Sequence, residues 1–283
     1  MVKRILVIGA TGFLGEPVAR KLKEDGYTIR IMARNEEKAQ EKFADGFEII
    51  QGDANVIDDV KSALKDCMGV HCTIAGDAEL TAVQNVIAAA DGTKLDRVTY
   101  ISGCTAVEEN RWFPLIETKL QAEAALQASG IPYTIFAPSW PMEMLVRYAR
   151  NGLPTLIGKQ TNAFHFFSLD DLARMVSTAY QVDQAINKRF VIHGPQAIPF
   201  DEALMHYCKV FHPEVAKVSK LPVWLAMLIA RLTKNELMRF GAELSGYFDK
   251  VGELGDPAQA NALLGTPSIT LDEWISKRET SVS

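Results

Sequence analysis

The stretch IGATGFLG, Ile8–Gly15, decides the fold through the segments on either side of it. Before it, the apolar run Ile5–Ile8 predicts a first β-strand. After it, Leu14, Val18 and Leu22 recur every four residues and predict one face of a helix. Glycines between such a strand and helix permit a tight turn, let backbone N–H groups approach a pyrophosphate, and let the helix pack closely on the sheet. The stretch therefore predicts a dinucleotide-binding βαβ unit, and the alternative is a tight turn without a ligand.

The alternation of apolar and amphipathic segments continues through the first half of the chain. Further strands are predicted from Tyr27, before Asp53, before Gly76, over Arg97–Gly103 and up to Pro138. Strands that alternate with helices are typical of a parallel sheet. The predicted fold class is therefore α/β, a doubly wound parallel (Rossmann) sheet with a smaller C-terminal substrate lobe.

The predicted NAD(P)-binding domain spans residues 1–138, and residues 164–194 are expected to return to it. Residues 139–163 and 195–283 are expected to form the substrate lobe. Within that lobe, Leu221–Thr233 is dense in large apolar side chains but is shorter than the roughly 20 residues that a membrane-crossing helix needs. It is interpreted as a core or pocket-covering helix, and the alternative is a helix on a membrane surface.

The residue after the second strand indicates which dinucleotide binds. Arg34 stands there, and no acidic residue follows before Glu36. A guanidinium can pair with a ribose 2′-phosphate, which a carboxylate would repel. The predicted cofactor is therefore NADP(H), and the alternative interpretation of Arg34 is a solvated surface residue. The predicted cofactor-binding residues lie in the glycine loop and at strand ends: Gly9, Thr11, Gly12, Phe13, Leu14, Gly15, Arg34, Asp53, Ala75, Gly76, Ser102, Lys119, Pro138 and Ser139.

Composition and charge limit the classes of binding partner and the cellular location that we expect. The net charge is −5 with both signs interleaved, so no cationic face for nucleic acid is expected. The N-terminal apolar run is shorter than a signal-peptide core, and this predicts a cytoplasmic protein. The four cysteines show no CxxC pair and no nearby histidine at metal spacing. They are expected to be reduced and mostly buried, and no metal site is predicted.

Several stretches together resemble the atypical or extended short-chain dehydrogenases, in particular their NmrA-like NAD(P)-binding branch. The resemblance covers nearly the whole chain and implies the extended fold, with a substrate lobe built mainly from C-terminal segments. The stretches are GATGFLG, the arginine after the second strand, GD at residues 52 and 53, RVTYISG, KLQAEAALQASGIPYTIFAPS, FHFFSLDDLARMVSTAY and FVIHGPQAIPFDEAL.

The catalytic pattern of that superfamily is incomplete in this chain. Its active members pair a tyrosine and a lysine, spaced YxxxK, for proton transfer and ribose binding. Lys119 fits the lysine, but Leu115 stands four residues before it. Cys104 stands where a serine or threonine would orient the substrate carbonyl, and a thiol is a poor donor. Lys119 is therefore the predicted catalytic residue, and the alternative is a surface pair with Glu123 at i+4.

Further candidates follow the sixth predicted strand. Tyr148 and His165 are alternative proton donors, although a lone histidine in AFHFF is more often a packed strand residue. Trp140, Met142 and Met144 are expected either to line an apolar pocket or to belong to the core.

Two functions follow from these residues. The first is an NADPH-dependent reductase that transfers hydride to a small apolar carbonyl, quinone or enone. The alternative is a non-catalytic NADP(H)-binding redox sensor, regulator or assembly factor that binds a protein partner, because the tyrosine is missing.

Overall fold

The computed structural model describes residues 3–43, 46–76 and 78–282. This part of the chain divides into two compact units. The first contains the residues up to Pro138 together with Leu169–Ile192 and Asp256–Thr266. The second contains Ser139–Ser168, His193–Gly255 and the residues from Pro267 onward.

Strands and helices alternate regularly only in the first half of the chain. The strands are β1 (Arg4–Ile8), β2 (Thr28–Ala33), β3 (Glu48–Gln51), β4 (Gly69–Cys72), β5 (Arg97–Ile101), β6 (Tyr133–Pro138), β7 (Thr155–Ile157), β8 (Ala163–His165), β9 (Lys188–Ile192), β10 (Ala197–Pro199) and β11 (Ser219–Leu221). The α-helices are α1 (Gly15–Glu24), α2 (Glu36–Lys42), α3 (Ile57–Leu64), α4 (Ala78–Ala90), α5 (Pro114–Ala128), α6 (Met144–Tyr148), α7 (Leu169–Ala179), α8 (Phe200–Phe211), α9 (Val223–Thr233), α10 (Glu236–Lys250), α11 (Ala258–Leu264) and α12 (Leu271–Val282).

The first unit is built on a seven-stranded sheet in the order β3-β2-β1-β4-β5-β6-β9. All of its strand pairs are parallel. The predicted doubly wound α/β fold is confirmed, and the strand within KRFVIHG joins the sheet as its seventh member. The strand order reverses between β1 and β4, and ligands of such sheets bind at the carboxyl ends of the strands beside that reversal.

Helices cover this sheet, which explains why its central strands are buried. Helices α3, α4 and α5 pack side by side, and α1 packs against α7. In β5 every residue is buried, as expected for a parallel strand that is covered on both faces. The predicted helical stripe is buried at Val18 and Leu22. Cys72, Cys104 and Cys208 are buried and Cys67 is partly buried, as the sequence predicts.

The second unit has an aromatic core in place of a large sheet. Its strands form two short pairs, antiparallel β8 with β10 and parallel β7 with β11. Phe164, Phe166 and Phe200 are fully buried there. Their rings meet edge to face, an arrangement that stabilises aromatic clusters beyond the area they bury.

Helix α9 differs from its sequence interpretation. It packs against α10, and its buried residues are the small Ala226 and Ala230. Trp224 and Leu232 are 68% and 76% exposed. The part of the interpretation that makes α9 a core helix is therefore wrong for Trp224 and Leu232. Within the described residues, no helix combines the length and the apolar character that crossing a bilayer requires.

One histidine lies in the core of the first unit. His71, in β4, is fully buried, and its ring nitrogens lie 2.8 Å from Thr99 Oγ1 and 2.5 Å from Thr73 Oγ1. Burial lowers the pKa of His71 from 6.5 to about 3, because the charged imidazolium would lose its hydration. The folded protein therefore keeps this ring neutral at pH values where the unfolded chain protonates it.

Acid should destabilise the protein through His71. Its folded pKa lies below its unfolded pKa, so the unfolded chain binds the extra proton and the contribution of the neutral ring is lost as the pH falls below 6.5 towards 3. The loss approaches about 1.4 kcal/mol per pH unit. Urea unfolding between pH 7 and pH 4 should give a shallower pH dependence for His71→Gln than for the natural chain. The partly exposed His212→Gln is the control, and equal slopes for the His71 variant and the natural chain would contradict this account.

Candidate cofactor site

The glycine loop joins β1 to α1 through backbone contacts that exclude larger residues. Gly9 has a φ of +86°, and a Cβ there would overlap the carbonyl oxygen of Thr73. Its own carbonyl accepts a hydrogen bond from the N–H of Gly12 at 2.9 Å. At Gly15, the first residue of α1, a Cβ would overlap the carbonyl of Gly9. The loop is therefore folded tightly enough for its backbone to approach a ligand.

The start of α1 is suited to an anion. The N-cap residue Leu14 provides no side-chain hydrogen bond to the first turn. The backbone N–H groups and positive dipole end of a helix start bind phosphate. Glu16 lies in this turn, 2.5 Å from Lys42 Nζ and 2.9 Å from Arg20 Nη2. Burial would raise the pKa of the Glu16 carboxyl, but the hydrogen bonds from Lys42 and Arg20 outweigh it and lower that pKa. Two cations thus offset the one acid of the turn, a feature that the sequence analysis missed.

A cleft of about 420 Å³ opens beside this loop, at the carboxyl ends of β1 to β4. Arg34, directly after β2, is exposed and lines it. Asp53 lines it too, and its Oδ1 accepts hydrogen bonds from the backbone and side-chain nitrogens of Asn55. The predicted residues that line the cleft are Gly9, Thr11, Gly12, Arg34, Asp53 and Ala75.

Other residues of the cleft were not predicted. All of them except Ala78 lie in the last two residues of a strand or within four residues after one, at the edge of the sheet where parallel strands end, and this position is the signal that could have found them. They are Ile8, Met32, Ala33, Gly52, Ala54, Asn55, Thr73, Ile74 and Ala78. Of the predicted residues outside the lining, Phe13, Leu14, Gly15 and Gly76 are neighbours of lining residues in the chain.

Lys119 forms an ion pair with a residue that the sequence did not indicate. Its Nζ lies 2.8 Å from Oε1 of Glu79, in α4, and the Glu79 side chain is fully buried. The hydroxyl of Tyr100 donates to the same oxygen at 2.5 Å. Burial strongly raises the pKa of Tyr100, and the nearby Glu79 raises it further. Tyr100 is therefore a fixed neutral donor and does not replace the missing tyrosine at Leu115.

Ser102 and the expected surface partner of Lys119 belong to a separate buried network. The Ser102 hydroxyl donates to Oε1 of Glu123, and Arg189 Nε donates to Oε2 of Glu123 at 2.9 Å. Glu123 therefore pairs with Arg189, and the alternative of a surface pair between Lys119 and Glu123 is wrong. Cys104, in place of the orienting serine, is 6% exposed.

The match to a known family spans residues 9–180 and is described as NAD(P)H-binding. The chain belongs to this NAD(P)H-binding family. The match covers the glycine loop, the cleft and Lys119, and it confirms the predicted NAD(P)-binding character of the first unit.

Proteins similar to this chain include an assembly factor and two reductases. The Photosystem II assembly factor Ycf39 of Trieres chinensis is 27% identical over 240 residues, which are 81% of this chain and 75% of the relative. The NADPH-dependent quinone oxidoreductase QOR2 of Escherichia coli, solved with NADPH, has a TM-score of 0.78 at 23% identity and covers 97% of this chain and 99% of its own. The Citrobacter sp. triphenylmethane reductase, solved with NADP(H), has a TM-score of 0.78 at 21% identity with the same coverage. The two solved structures share the fold of this NAD(P)H-binding protein over nearly the whole chain.

The second unit of this NAD(P)H-binding protein holds the remaining candidates. Met142 is buried in the aromatic core, which is the alternative that the sequence left open. Trp140 and Tyr148 line a cavity of about 10 Å³, too small for a substrate. Burial raises the pKa of Tyr148. Met144 lies at the start of α6 and is partly buried.

Ser139 and His165 meet at a residue that the sequence analysis did not consider. Both contact the carboxylate of Glu253, which follows α10. His193 is the third residue whose side chain lies beside this carboxylate, with its Nδ1 3.7 Å from Glu253 Oε2. A search for ligand spacing along the sequence could not find this group, since its members are separated by tens of residues.

Proposed function

We propose that this protein is a reductase that uses NADP(H) and transfers hydride to a small apolar carbonyl, quinone or enone. The observation that carries the proposal is the cleft beside the glycine loop, with Arg34 at its rim. The volume of about 420 Å³ suits part of a dinucleotide. The structures of an NADPH-dependent quinone oxidoreductase and of a triphenylmethane reductase with NADP(H) support the same cofactor.

Different residues of this chain would bind different parts of the cofactor. The backbone of Gly9 and Gly12 and the start of α1 would hold the pyrophosphate, and Arg34 would pair with the 2′-phosphate. Ser102, Pro138 and Ser139 remain in the proposal as contacts of the nicotinamide half. The four free cysteines suit a reducing compartment, and the proposal includes a cytoplasmic location.

Bound NADPH supplies a hydride to an electrophilic carbon of the substrate. The oxygen of a reduced carbonyl then takes up one proton. Lys119 would donate it, because Leu115 has no proton to give and Tyr100 is held by Glu79. Glu79 keeps the ammonium of Lys119 in place.

A second candidate function is supported by a separate observation. Five large apolar side chains, here called the α9–α10 apolar surface, are exposed in the second unit: Trp224, Leu228, Leu232, Leu237 and Phe240. Exposed apolar surface of this kind is typical of a docking site. Together with the relative named as a photosystem II assembly factor, it supports an NADP(H)-binding assembly factor with a protein partner.

The deciding experiment measures both cofactor binding and substrate turnover. We expect NADPH to bind at least about tenfold more tightly than NADH, which corresponds to about 1.4 kcal/mol. We also expect NADPH consumption with at least one member of a panel of quinones, aromatic aldehydes and enones.

The matched variant is Lys119→Arg, which keeps a cation beside Glu79 but cannot give up its proton. It should retain NADPH binding and lose about 10²-fold or more in kcat. Tight NADPH binding without turnover on any member of the panel would overturn the reductase and favour the assembly factor.

A further inference from the structure

Three distant segments of the chain meet at one carboxylate in the second unit. His165 ends β8, His193 directly follows β9, and Glu253 lies in the loop after α10. Each offers a ligand atom, and these atoms lie within 4.8 Å of one another. The two imidazole rings are stacked, with centroids 5.3 Å apart and planes within 5° of parallel. The two rings thus stand side by side against Glu253.

The Glu253 carboxylate is held firmly from one side. Its Oε1 accepts hydrogen bonds from the Ser139 hydroxyl and from the backbone N–H of His165, the latter at 3.0 Å. The side chain is 8% exposed, so it has little hydration. Oε2 is turned towards the two imidazoles, where it contacts His165 Nδ1. A buried carboxylate placed in this way is stabilised by a positive charge at Oε2.

The hydrogen bond made by His193 Nε2 determines which ring nitrogen carries the hydrogen. His193 Nε2 lies 3.3 Å from the carbonyl oxygen of Leu254, and a carbonyl can only accept, so Nε2 carries the hydrogen. In the neutral ring Nδ1 is then a lone pair, and it lies 3.7 Å from Glu253 Oε2. A histidine that binds a metal characteristically donates its other N–H to a carbonyl or carboxylate in this manner.

The distance between His193 and Glu253 fits one divalent transition-metal ion, and an ion bound there would replace the hydrogen that His165 Nδ1 donates to Glu253 Oε2. Zinc binds imidazole nitrogen and carboxylate oxygen at about 2.0–2.2 Å, so two ligand atoms of one ion are separated by no more than about 4.4 Å. The 3.7 Å between His193 Nδ1 and Glu253 Oε2 lies within that limit. The side chain of His165 is 38% exposed, which gives an ion a route from solvent.

We propose that His165, His193 and Glu253 form a binding site for a divalent transition-metal ion of the zinc type, with Ser139 as the residue that orients Glu253. Two imidazole nitrogens and one carboxylate oxygen suit zinc and leave a fourth position for water or another ligand. The site lies within the second unit, and Ser139 is the one residue that it shares with the proposed cofactor contacts.

The test is calorimetric titration of the full chain with Zn²⁺ after treatment with a chelator. One ion should bind per chain, and His165→Ala and Glu253→Gln should each weaken binding by at least about tenfold. Ser139→Ala should weaken it by a similar factor, because an unanchored carboxylate binds metal less well. The matched control is His206→Ala, which removes another histidine of the same unit that lies beside a carboxylate, 3.0 Å from Asp272.

A second measurement guards against a variant that fails to fold. Since His165 is partly exposed, His165→Ala should keep the circular dichroism spectrum of the natural chain. Zn²⁺ should raise the melting temperature of the natural chain and of His206→Ala but not that of His165→Ala. Absence of saturable binding, or an unchanged affinity in folded His165→Ala, would overturn the proposal, and the cluster would then be a hydrogen-bonded group without metal.

Discussion

Arg34→Asp should weaken NADPH binding by about 10²–10³-fold, because it removes a charge-assisted pair with the 2′-phosphate and places a repelling carboxylate there. The two effects together amount to about 3–4 kcal/mol, and each 1.4 kcal/mol is tenfold in affinity. NADH lacks this phosphate, so its affinity should stay constant or rise, since a carboxylate at this place can accept from the ribose 2′-hydroxyl. Titration of the two cofactors into both proteins measures the change in their affinity ratio.

The control for Arg34→Asp is Lys38→Asp, which makes the same change of charge at an exposed position of α2 outside the cleft lining. It should lower NADPH affinity only slightly, and the small loss should vanish in higher salt, as expected for a screened charge. If both variants lose affinity equally, or if Arg34→Asp keeps the affinity for NADPH, Arg34 is a solvated surface residue.

Lys119→Met should lower the free energy of unfolding by about 3–5 kcal/mol, which is the usual effect of leaving one partner of a buried ion pair without the other. The Glu79 side chain is fully buried, and among the described residues its Oε2 has no hydrogen-bond partner. After loss of Lys119 the carboxylate would keep only the hydroxyl of Tyr100. Urea unfolding at pH 7 measures the effect.

The double variant Glu79→Gln with Lys119→Met should regain most of that stability, because no buried charge remains. Lys94→Met, at an exposed lysine of the first unit, is the control and should change the free energy of unfolding by less than about 0.5 kcal/mol. An effect of Lys119→Met as small as that of the control would show that Lys119 and Glu79 are not coupled. This cycle also separates a loss of activity in Lys119 variants from a loss of folded protein.

Local pattern was enough to predict the sheet and the glycine loop. Strands, the first helix and the loop between them depend on residues within about ten positions of one another, and periodicity reports such neighbours directly. Arg34 was found in the same way, from its place after β2. The cleft itself is assembled at one edge of the sheet, and of its members after β3 and β4 only Asp53 and Ala75 were predicted as cofactor-binding residues.

Contacts between distant segments were not predictable from the sequence. The Lys119–Glu79 pair joins α5 to α4 across 40 positions, whereas the helical spacing pointed to Glu123. The exposure of Trp224 and Leu232 in α9 was not predicted, because apolar composition does not reveal whether another element of the fold covers a given face of a helix. The group around Glu253 joins His165, His193 and Ser139 from three separate segments, a coincidence that only the fold produces.

Because Lys119 is paired with Glu79, any ligand that needs the Lys119 ammonium must compete with the Glu79 carboxylate for it. Any ligand group that recruits the Lys119 ammonium must displace it from Glu79 Oε1, or share it, since the two lie 2.8 Å apart. The apparent dissociation constant is the intrinsic one divided by the fraction of molecules whose lysine is released, and each 1.4 kcal/mol of preference for the pair weakens binding tenfold. Under the proposed role of Lys119 in cofactor binding, Glu79 would compete with the cofactor for the ammonium, and substitutions at Glu79 would change cofactor affinity without altering the residues that line the cleft.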